Sequence, residues 1–297
     1  MKSEHLIDPR KKFSNKGFPE QEQDTPALQQ KMKPMPDCGE TSYKGYGRLK
    51  GRNALVTGGD SGIGRAAAIA YAREGANVAI QYFPGEEADA HEVKEIIEQE
   101  GQKALLLPYD LREEAAASEI VEKTVEAFGG VDILVLNAAQ QIAQESLQDL
   151  HIKQVEDTYK VNVISMYETV KAAEPHLEPG SAIVTTTSVQ AFNPSTHLMD
   201  YAGTKAAIAN FTLNLSSYFA PKGIRVNGVA PGPIWTPLQL DHGQLEGTIP
   251  NFGQDTLLGR AGQPVELAPV YVLFASDEGS YITGQIYGVT GGEAIDL

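Results

Sequence analysis

The chain has 297 residues, 41% of them hydrophobic, which is enough for one large α/β domain with a substantial core. The chain has a single cysteine, Cys38, which excludes a disulfide framework. It has no run of about 18 to 20 apolar residues that would span a membrane and no apolar signal-peptide centre. We therefore expect a cytoplasmic protein. The net charge of -15 lies in the body of the chain, since residues 1–50 hold 10 basic and 7 acidic residues, and this argues against nucleic acid as a partner.

Residues 1–48 are rich in Lys, Gln, Glu and Pro and show no sustained apolar period. We interpret them as a polar N-terminal extension that precedes a single domain over residues 49–297. Two interpretations of the extension stay open: a loosely attached tail, or an arm that wraps a neighbouring subunit. Tyr43, Tyr46 and Leu49 are candidates to anchor its last stretch.

From Asn53 onward, short apolar runs alternate with amphipathic segments. The predicted strands are Ala54–Val56, Val78–Gln81, Ala104–Leu107, Ile133–Leu136, Ala182–Thr187, Arg225–Val229 and Ile286–Val289. The predicted helices are Gly62–Glu74, Glu86–Glu100, Glu113–Phe128, 152–173, 201–219 and 264–275. Strands that alternate with helices indicate a doubly wound, Rossmann-like parallel sheet, which binds ligands beyond the carboxyl ends of its strands.

A glycine-rich loop, Thr57-Gly58-Gly59-Asp60-Ser61-Gly62-Ile63-Gly64, joins the first predicted strand to the first helix. Glycines at this place permit a sharp turn and a close approach of the backbone to a pyrophosphate at the helix N-terminus. The alternative is a purely structural turn, and the spacing G-x-x-x-G-x-G departs from the general G-x-G-x-x-G fingerprint. The position of the loop favours binding of a nicotinamide dinucleotide.

The end of the second strand bears on the choice between NADP and NAD. An acidic residue there would bind the ribose 2′-hydroxyl of NAD, but this chain has Gln81-Tyr82-Phe83. Arg65, in the first turn of the helix, is a candidate to approach a 2′-phosphate. The sequence therefore favours NADP over NAD.

Tyr201 and Lys205 lie four residues apart at the start of a predicted helix, so they share a face. A nearby ammonium favours the ionised form of a phenol, which makes Tyr201 a candidate acid or base. The spacing alone is weak, since Tyr-x-x-x-Lys occurs four times in this chain. Ser188 strengthens it, because it follows a predicted strand and could donate a hydrogen bond to a substrate carbonyl.

Residues 51–297 resemble the short-chain dehydrogenase/reductase family, and the extension is similar to that of a bacterial subgroup that includes general stress proteins and glucose dehydrogenase-like reductases. The motifs that carry the resemblance are Thr57-Gly58-x-x-x-Gly62-x-Gly64, Asn137-Ala138-Ala139, Asn162, Ser188, Tyr201-x-x-x-Lys205, and Pro231-Gly232 with Thr236. Where this chain has Ala139, the family often has glycine.

The resemblance implies a role for each of these residues. Tyr201 would be the general acid or base, Lys205 would lower its pKa and hold the nicotinamide ribose, Ser188 would position the substrate oxygen, and Asn162 would anchor a water. Asp110 and Leu111 would contact the adenine. The loop residues Gly58, Ser61, Gly62, Ile63 and Gly64, together with Tyr82, Asn137, Ala138, Ala139, Pro231, Gly232, Ile234 and Thr236, would form the rest of the cofactor site. The resemblance also implies a homotetramer.

The function expected is an oxidoreductase that interconverts a small alcohol and an aldehyde or ketone, with NADP or NAD as cofactor and no metal. The six histidines show no paired ligand spacing, although His197 is placed to touch a substrate. One alternative is a cofactor-binding regulatory protein without turnover; an epimerase on the same fold would need a further substrate domain. Substrate choice is expected to depend on 190–200 and on a lid over 234–260.

Overall fold

The computed structural model describes residues 6–295, so residues 1–5 of the predicted extension and residues 296–297 of the predicted domain lie outside the described residues. Seven strands form one sheet, and every neighbouring pair is parallel. They are β1 (Asn53–Thr57), β2 (Asn77–Tyr82), β3 (Ala104–Pro108), β4 (Ile133–Leu136), β5 (Ala182–Thr186), β6 (Arg225–Pro231) and β7 (Ile286–Val289). Each predicted strand is present.

The longer helices connect these strands and cover both faces of the sheet. They are α1 (Gly62–Arg73), α2 (Glu87–Gln99), α3 (Ala116–Phe128), α4 (Ile152–Tyr159), α5 (Ser165–Ala173), α6 (Met199–Phe219) and α7 (Ala268–Ala275). The single helix predicted over 152–173 is divided by a π-helical turn at Lys160–Ile164. A π turn inserts one residue into a helix, which a periodicity of 3.6 residues does not reveal.

The strand order is β3-β2-β1-β4-β5-β6-β7, which confirms the predicted doubly wound fold. Ala54 in β1 pairs with Val78 of β2 on one side and with Ile133 of β4 on the other. The order of strands reverses at β1, so the loops after β1 and β4 diverge and leave a crevice above their carboxyl ends. This crevice is where the fold places a ligand.

Two apolar layers, one on each face, stabilise the sheet. One layer is formed by α1, α2 and α7, with Ile69, Val93 and Val272 fully buried. The other is formed by α3, α5 and α6, with Ile120, Ile208 and Phe219 fully buried. Burying side chains of this size stabilises the fold by about 1.5 to 3 kcal/mol each. The sheet is therefore a rigid platform for the loops at its carboxyl edge.

The N-terminal extension packs against its own domain along much of its length, and the interpretation as a loosely attached tail is wrong. Phe18, Ala27 and Met32 are buried in a third apolar cluster with Trp235 and other residues of the predicted lid. The Phe18 and Trp235 rings stack 3.7 Å apart with an 8° angle between their planes. We call residues 18–49 the arm.

The last stretch of the arm is anchored on the end of α1. Leu49 is fully buried, and the Tyr43 hydroxyl donates to the carboxylate of Glu74 at 2.7 Å, as the sequence led us to expect of these two residues. Tyr46 differs, because its side chain is 80% exposed and only its backbone amide reaches Glu74. Arg48 also donates to Glu74, so this buried carboxylate accepts hydrogen bonds from three residues of the arm.

Within residues 6–295, no helix has both the length and the apolar character needed to cross a bilayer. Over the same range, no three His, Cys, Asp or Glu side chains are grouped as ligands for a metal ion.

Candidate active site

The glycine-rich loop connects β1 to α1 in a conformation that has no room for a side chain at Gly62 or Gly64. Gly62 has φ +52°, and a Cβ there would lie 2.9 Å from Cγ2 of Thr236. A Cβ at Gly64 would lie 1.9 Å from the carbonyl oxygen of Gly58, so α1 packs directly against the turn. Gly58 and Gly62 therefore line the cleft with backbone alone, as binding of a diphosphate requires, and Ile63 lies beside them.

Hydrogen bonds join this loop to the ends of two further strands. The Thr57 hydroxyl accepts from the backbone amides of Asn137 at 2.9 Å and of Ala138 at 3.1 Å. The side chain of Asn137 donates to the carbonyl oxygens of Thr57 and Gly58 and accepts from the Thr186 hydroxyl. Asn137 therefore holds the ends of β1, β4 and β5 in one arrangement, besides lining the cleft.

A cleft of about 1100 Å³ lies over the carboxyl edge of the sheet. Its walls include most of the residues predicted for the site: Gly58, Ser61, Gly62, Ile63, Asp110, Leu111, Asn137, Ala138, Ala139, Ser188, Tyr201, Lys205, Pro231, Gly232, Ile234 and Thr236. These residues come from the ends of β1, β3, β4, β5 and β6 and from α6. The fold thus brings together segments that are far apart in the sequence.

Three predicted residues do not line the cleft. Gly64 packs under the turn, as described above. Tyr82 is corrected by the structure: its side chain is buried in the core, while its neighbours Gln81 and Phe83 face the cleft. Asn162 is fully buried on the π-helical turn, where its amide accepts from the Gln140 backbone amide at 2.7 Å and donates to Thr204 at 3.0 Å.

The three residues predicted for catalysis share one wall of the cleft. Tyr201 and Lys205 project from the first turns of α6, with the Lys205 Nζ 5.2 Å from the centre of the Tyr201 ring. Ser188 follows β5 and is almost fully buried beside Tyr201. The Lys205 ammonium donates to the carbonyl oxygen of Thr186 at 3.0 Å, which fixes the side chain against the end of β5.

Burial dominates the acid–base properties of this wall. It raises the pKa of the Tyr201 phenol well above its usual value, and the hydrogen bond with Ser188 acts in the opposite direction. It lowers the pKa of Lys205 to about 7, because the charged form loses its hydration. The two groups therefore differ from their solution behaviour in opposite senses, which is typical of functional sites.

A second titratable cluster lies at the far end of the glycine-rich loop. Asp60 is buried, one of its carboxylate oxygens has no hydrogen-bond partner among the described residues, and burial raises its pKa. Burial, with the nearby Asp60, also raises the pKa of Glu86. Both side chains line the cleft beside Phe83, at the end of β2.

Arg65 does not take the position that the sequence suggested. Its guanidinium is buried, with 3% of the side chain exposed, and it forms ion pairs with Glu40 of the arm at 2.9 Å and Glu92 of α2 at 3.1 Å. These partners hold it between the arm and α2. Arg65 is therefore a connection between α1 and the arm, and it is not free to approach a 2′-phosphate.

The predicted lid over 234–260 places some of its apolar side chains in the cleft and others against the arm. Leu238, Leu245 and Phe252 line the cleft, whereas Leu240 and Ile249 are buried against the arm. His197 also lines the cleft, and burial lowers its pKa. The sequence reasoning missed the contribution of the arm itself, because residues 25–27 line the cleft and nothing in their local pattern indicates it.

Comparison with known proteins agrees with this architecture. Residues 58–293 match the family model described as enoyl-(acyl carrier protein) reductase. The uncharacterized oxidoreductase YhxD of Bacillus subtilis is 58% identical over 295 residues, covering 98% of this chain and 99% of YhxD. General stress protein 39 of the same bacterium is 49% identical, covering 91% of this chain and 94% of its own length.

Among solved structures, a short-chain dehydrogenase from Burkholderia cenocepacia in complex with NADP superimposes with a TM-score of 0.76 at 34% identity. The match covers 98% of that chain but 82% of this one. The similarity to the Bacillus relatives, in contrast, extends over nearly all of this chain.

Proposed function

The chain belongs to the short-chain dehydrogenase/reductase family, and we propose that it is an NAD(P)-dependent oxidoreductase that interconverts a small alcohol and the corresponding aldehyde or ketone. One observation carries the proposal: Ser188, Tyr201 and Lys205 share one wall of a large cleft whose other end is the glycine-rich loop. Hydride chemistry at a carbon–oxygen bond needs a proton carrier and a dinucleotide in one place. Tyr201 can act as the proton carrier, and the loop at the other end of the cleft is suited to bind the dinucleotide.

Tyr201 is the proton carrier in this mechanism. Its phenol donates a proton to the carbonyl oxygen during reduction, and its phenolate takes the proton from the alcohol during oxidation. The Ser188 hydroxyl hydrogen-bonds the same oxygen and holds it next to the phenol. The nicotinamide, when bound, supplies or accepts the hydride.

Lys205 adjusts the acidity of Tyr201. Bringing a phenol from its ordinary pKa near 10 to about 7 takes roughly 4 kcal/mol of preferential stabilisation of the phenolate, and Tyr201 needs more than this because burial raises its pKa above 10. The Lys205 ammonium, close to the ring and buried, is one source of that stabilisation. Because burial lowers the pKa of Lys205 to about 7, its charge varies in the pH range in which the enzyme would work.

Asn162 supports the same wall from behind. Its amide bonds the backbone of Gln140 and the hydroxyl of Thr204, which precedes Lys205 on α6. We propose that it positions this part of α6. The water relay that the resemblance implies stays a prediction.

The residues of the cleft fit a nicotinamide dinucleotide, because the loop lines the cleft with backbone alone at Gly58 and Gly62, where an added Cβ would lie 3.0 Å or less from a neighbouring atom. We keep NADP as the favoured cofactor on the basis of the NADP complex of the Burkholderia relative. The carboxyl groups of Asp60 and Glu86, which line the cleft beside the end of β2, would in their charged form favour the ribose 2′-hydroxyl of NAD, so replacing them tests the preference for NADP.

We also propose a homotetramer in the cytoplasm. The exposed apolar side chains of Tyr167 on α5 and of Leu213 and Tyr218 on α6 are suited to contacts between subunits. Light scattering after size-exclusion chromatography would measure the mass directly. A monomer at micromolar concentration would contradict this part of the proposal.

A substrate panel tests the proposed reaction and separates it from the alternatives. Aldehydes, ketones, alcohols and an enoyl thioester are assayed with NADPH, NADP, NADH and NAD, alongside Tyr201→Phe. We expect turnover of a carbonyl/alcohol pair, loss of more than about a thousandfold in Tyr201→Phe, and unchanged cofactor binding in that variant. Cofactor binding without turnover of any compound would favour a regulatory protein, and activity of Tyr201→Phe within tenfold of wild type would exclude the role given to Tyr201.

A further inference from the structure

The arm passes over the glycine-rich loop and touches both sides of the cleft. On one side, Pro26 packs against Gly85 in the loop that follows β2, where an added Cβ would lie 3.0 Å from the proline ring. On the other, the Thr25 hydroxyl donates to the carboxylate of Asp241 in the lid. The short segment 25–27 thus bridges the cleft and forms part of its lining.

Gln29 connects the arm to the loop itself. Its side chain is fully buried, and the side-chain amide oxygen Oε1 accepts a hydrogen bond from the backbone amide of Gly62 at 2.8 Å. The backbone amides of Gln29 and Gln30 donate to Asp89 on α2, so the arm is fixed to two helices at this point. The conformation of the loop that would face a diphosphate is therefore held in part by the arm.

The corner enclosed by the arm also contains groups that need a ligand's polar atoms. One carboxylate oxygen of Asp60 and the side-chain amide nitrogen of Gln29 have no hydrogen-bond partner in residues 6–295, although both side chains are buried. Leaving such groups unpaired is unfavourable, and of the two only Asp60 borders the cleft, where a sugar hydroxyl group could donate to its carboxylate. This corner lies beside β2, whereas Tyr201 and Ser188 lie beside β5.

We propose that the arm is a wall of the cofactor site and contributes to the affinity for the adenosine diphosphate half of the dinucleotide. The inference rests on the proposed function, because the reacting half must lie near Tyr201 and the adenosine half consequently lies under residues 25–27. Binding of the nucleotide and docking of the arm are then coupled, and each strengthens the other by the same factor.

Two measurements on the full-length protein test this coupling. In the first, NADPH, NADH and ADP are titrated into wild type, Gln29→Ala and Gln30→Ala. Gln30 is the matched control, since its side chain is exposed and only its backbone holds the arm. We expect the affinity of Gln29→Ala for all three nucleotides to fall about tenfold, as for one lost buried hydrogen bond, and that of Gln30→Ala to stay within twofold.

The second measurement needs no mutation, so it remains valid if Gln29→Ala fails to fold. Lys31, which Met32 follows, and Lys44, which Gly45 follows, are exposed trypsin sites in the arm. We expect saturating ADP or NADPH to slow cleavage at these sites at least fivefold, with cleavage elsewhere unchanged. Equal rates with and without bound nucleotide, or wild-type affinity in a folded Gln29→Ala, would overturn the role of the arm. If wild type binds no nucleotide at all, the proposed function itself is wrong and this inference with it.

Discussion

Replacing Lys205 by methionine should abolish turnover and at the same time stabilise the protein. Lys205 is 1% exposed, and burial lowers its pKa from 10.5 to about 7. At 1.36 kcal/mol per pKa unit, this difference of about 3.5 units corresponds to a penalty of about 5 kcal/mol for burying the charged form. Methionine fills a similar space without that penalty, but the carbonyl oxygen of Thr186 loses its donor, which costs about 1 to 3 kcal/mol. The net gain in free energy of unfolding is about 2 to 4 kcal/mol.

The gain must depend on pH in a defined direction. The pKa of Lys205 is lowered in the folded state, so between about pH 7 and 10.5 the unfolded chain binds more protons and the wild type becomes more stable as the pH rises. The advantage of Lys205→Met is therefore greatest below pH 7 and fades toward pH 10.5. Urea unfolding at pH 6, 7.5 and 9 measures it, with Lys171→Met, on the exposed face of α5, as the control. A variant less stable than wild type at pH 6, or an advantage that does not shrink with pH, would refute the reasoning.

Four further changes have defined outcomes. Ser188→Ala should lower kcat/KM about a hundredfold while leaving the Kd for NADPH unchanged; a weakened Kd would place Ser188 in cofactor binding instead. Gly62→Ala introduces a Cβ 2.9 Å from Thr236 at φ +52°, so we expect a lower Tm and at least tenfold weaker nucleotide binding, whereas wild-type affinity would mean that the loop adapts. Phe18→Ala removes a ring that stacks on Trp235 and should cost about 3 kcal/mol in urea unfolding, unless the arm contributes little to global stability. Burial raises the pKa of Glu74, but the hydrogen bonds from Arg48, Tyr43 and the Tyr46 backbone outweigh it and lower the pKa from 4.5 to about 2. Glu74→Gln should therefore reduce the free energy of unfolding by about 3 kcal/mol above pH 4.5 and by progressively less as the pH falls toward 2. A loss that is independent of pH would contradict this account.

The central fold was predictable from the sequence because each strand and helix of the domain carries a local signal. Runs such as Ile133–Leu136 are apolar throughout, as strands buried on both faces must be, and α1 and α3 are followed by glycines that adopt positive φ. Ser188 was informative because it follows the carboxyl end of β5, and Tyr201 with Lys205 because they lie in the first turns of the helix that comes next, α6. Order along the chain was enough to predict that they share one cleft.

The parts that were not predictable depend on contacts between distant residues. Side chains alternate between the two faces of β2, and Tyr82 lies on the face that packs into the core. Which face of β2 borders the cleft is decided by the elements packed against the strand, so the sequence of β2 alone does not show it. Arg65 was plausible as a phosphate ligand until its partner Glu40 was placed by the arm. The arm has no apolar period of its own, and Phe18, Ala27 and Met32 are buried only because residues far along the chain form the cluster that receives them.

The stacking of Phe18 on Trp235 also constrains the order in which the molecule can fold. The pocket for Phe18 includes Leu240 and Ile249, so it exists only after the C-terminal third of the chain has been made and has packed. During synthesis the arm leaves the ribosome first, yet it has nothing to bind until nearly the whole domain is complete. Closing so long a loop is slow compared with forming the neighbouring strands and helices. The first residues to be translated are therefore expected to be among the last to reach their native positions, and refolding followed by the fluorescence of Trp235, the only tryptophan, would report that final step.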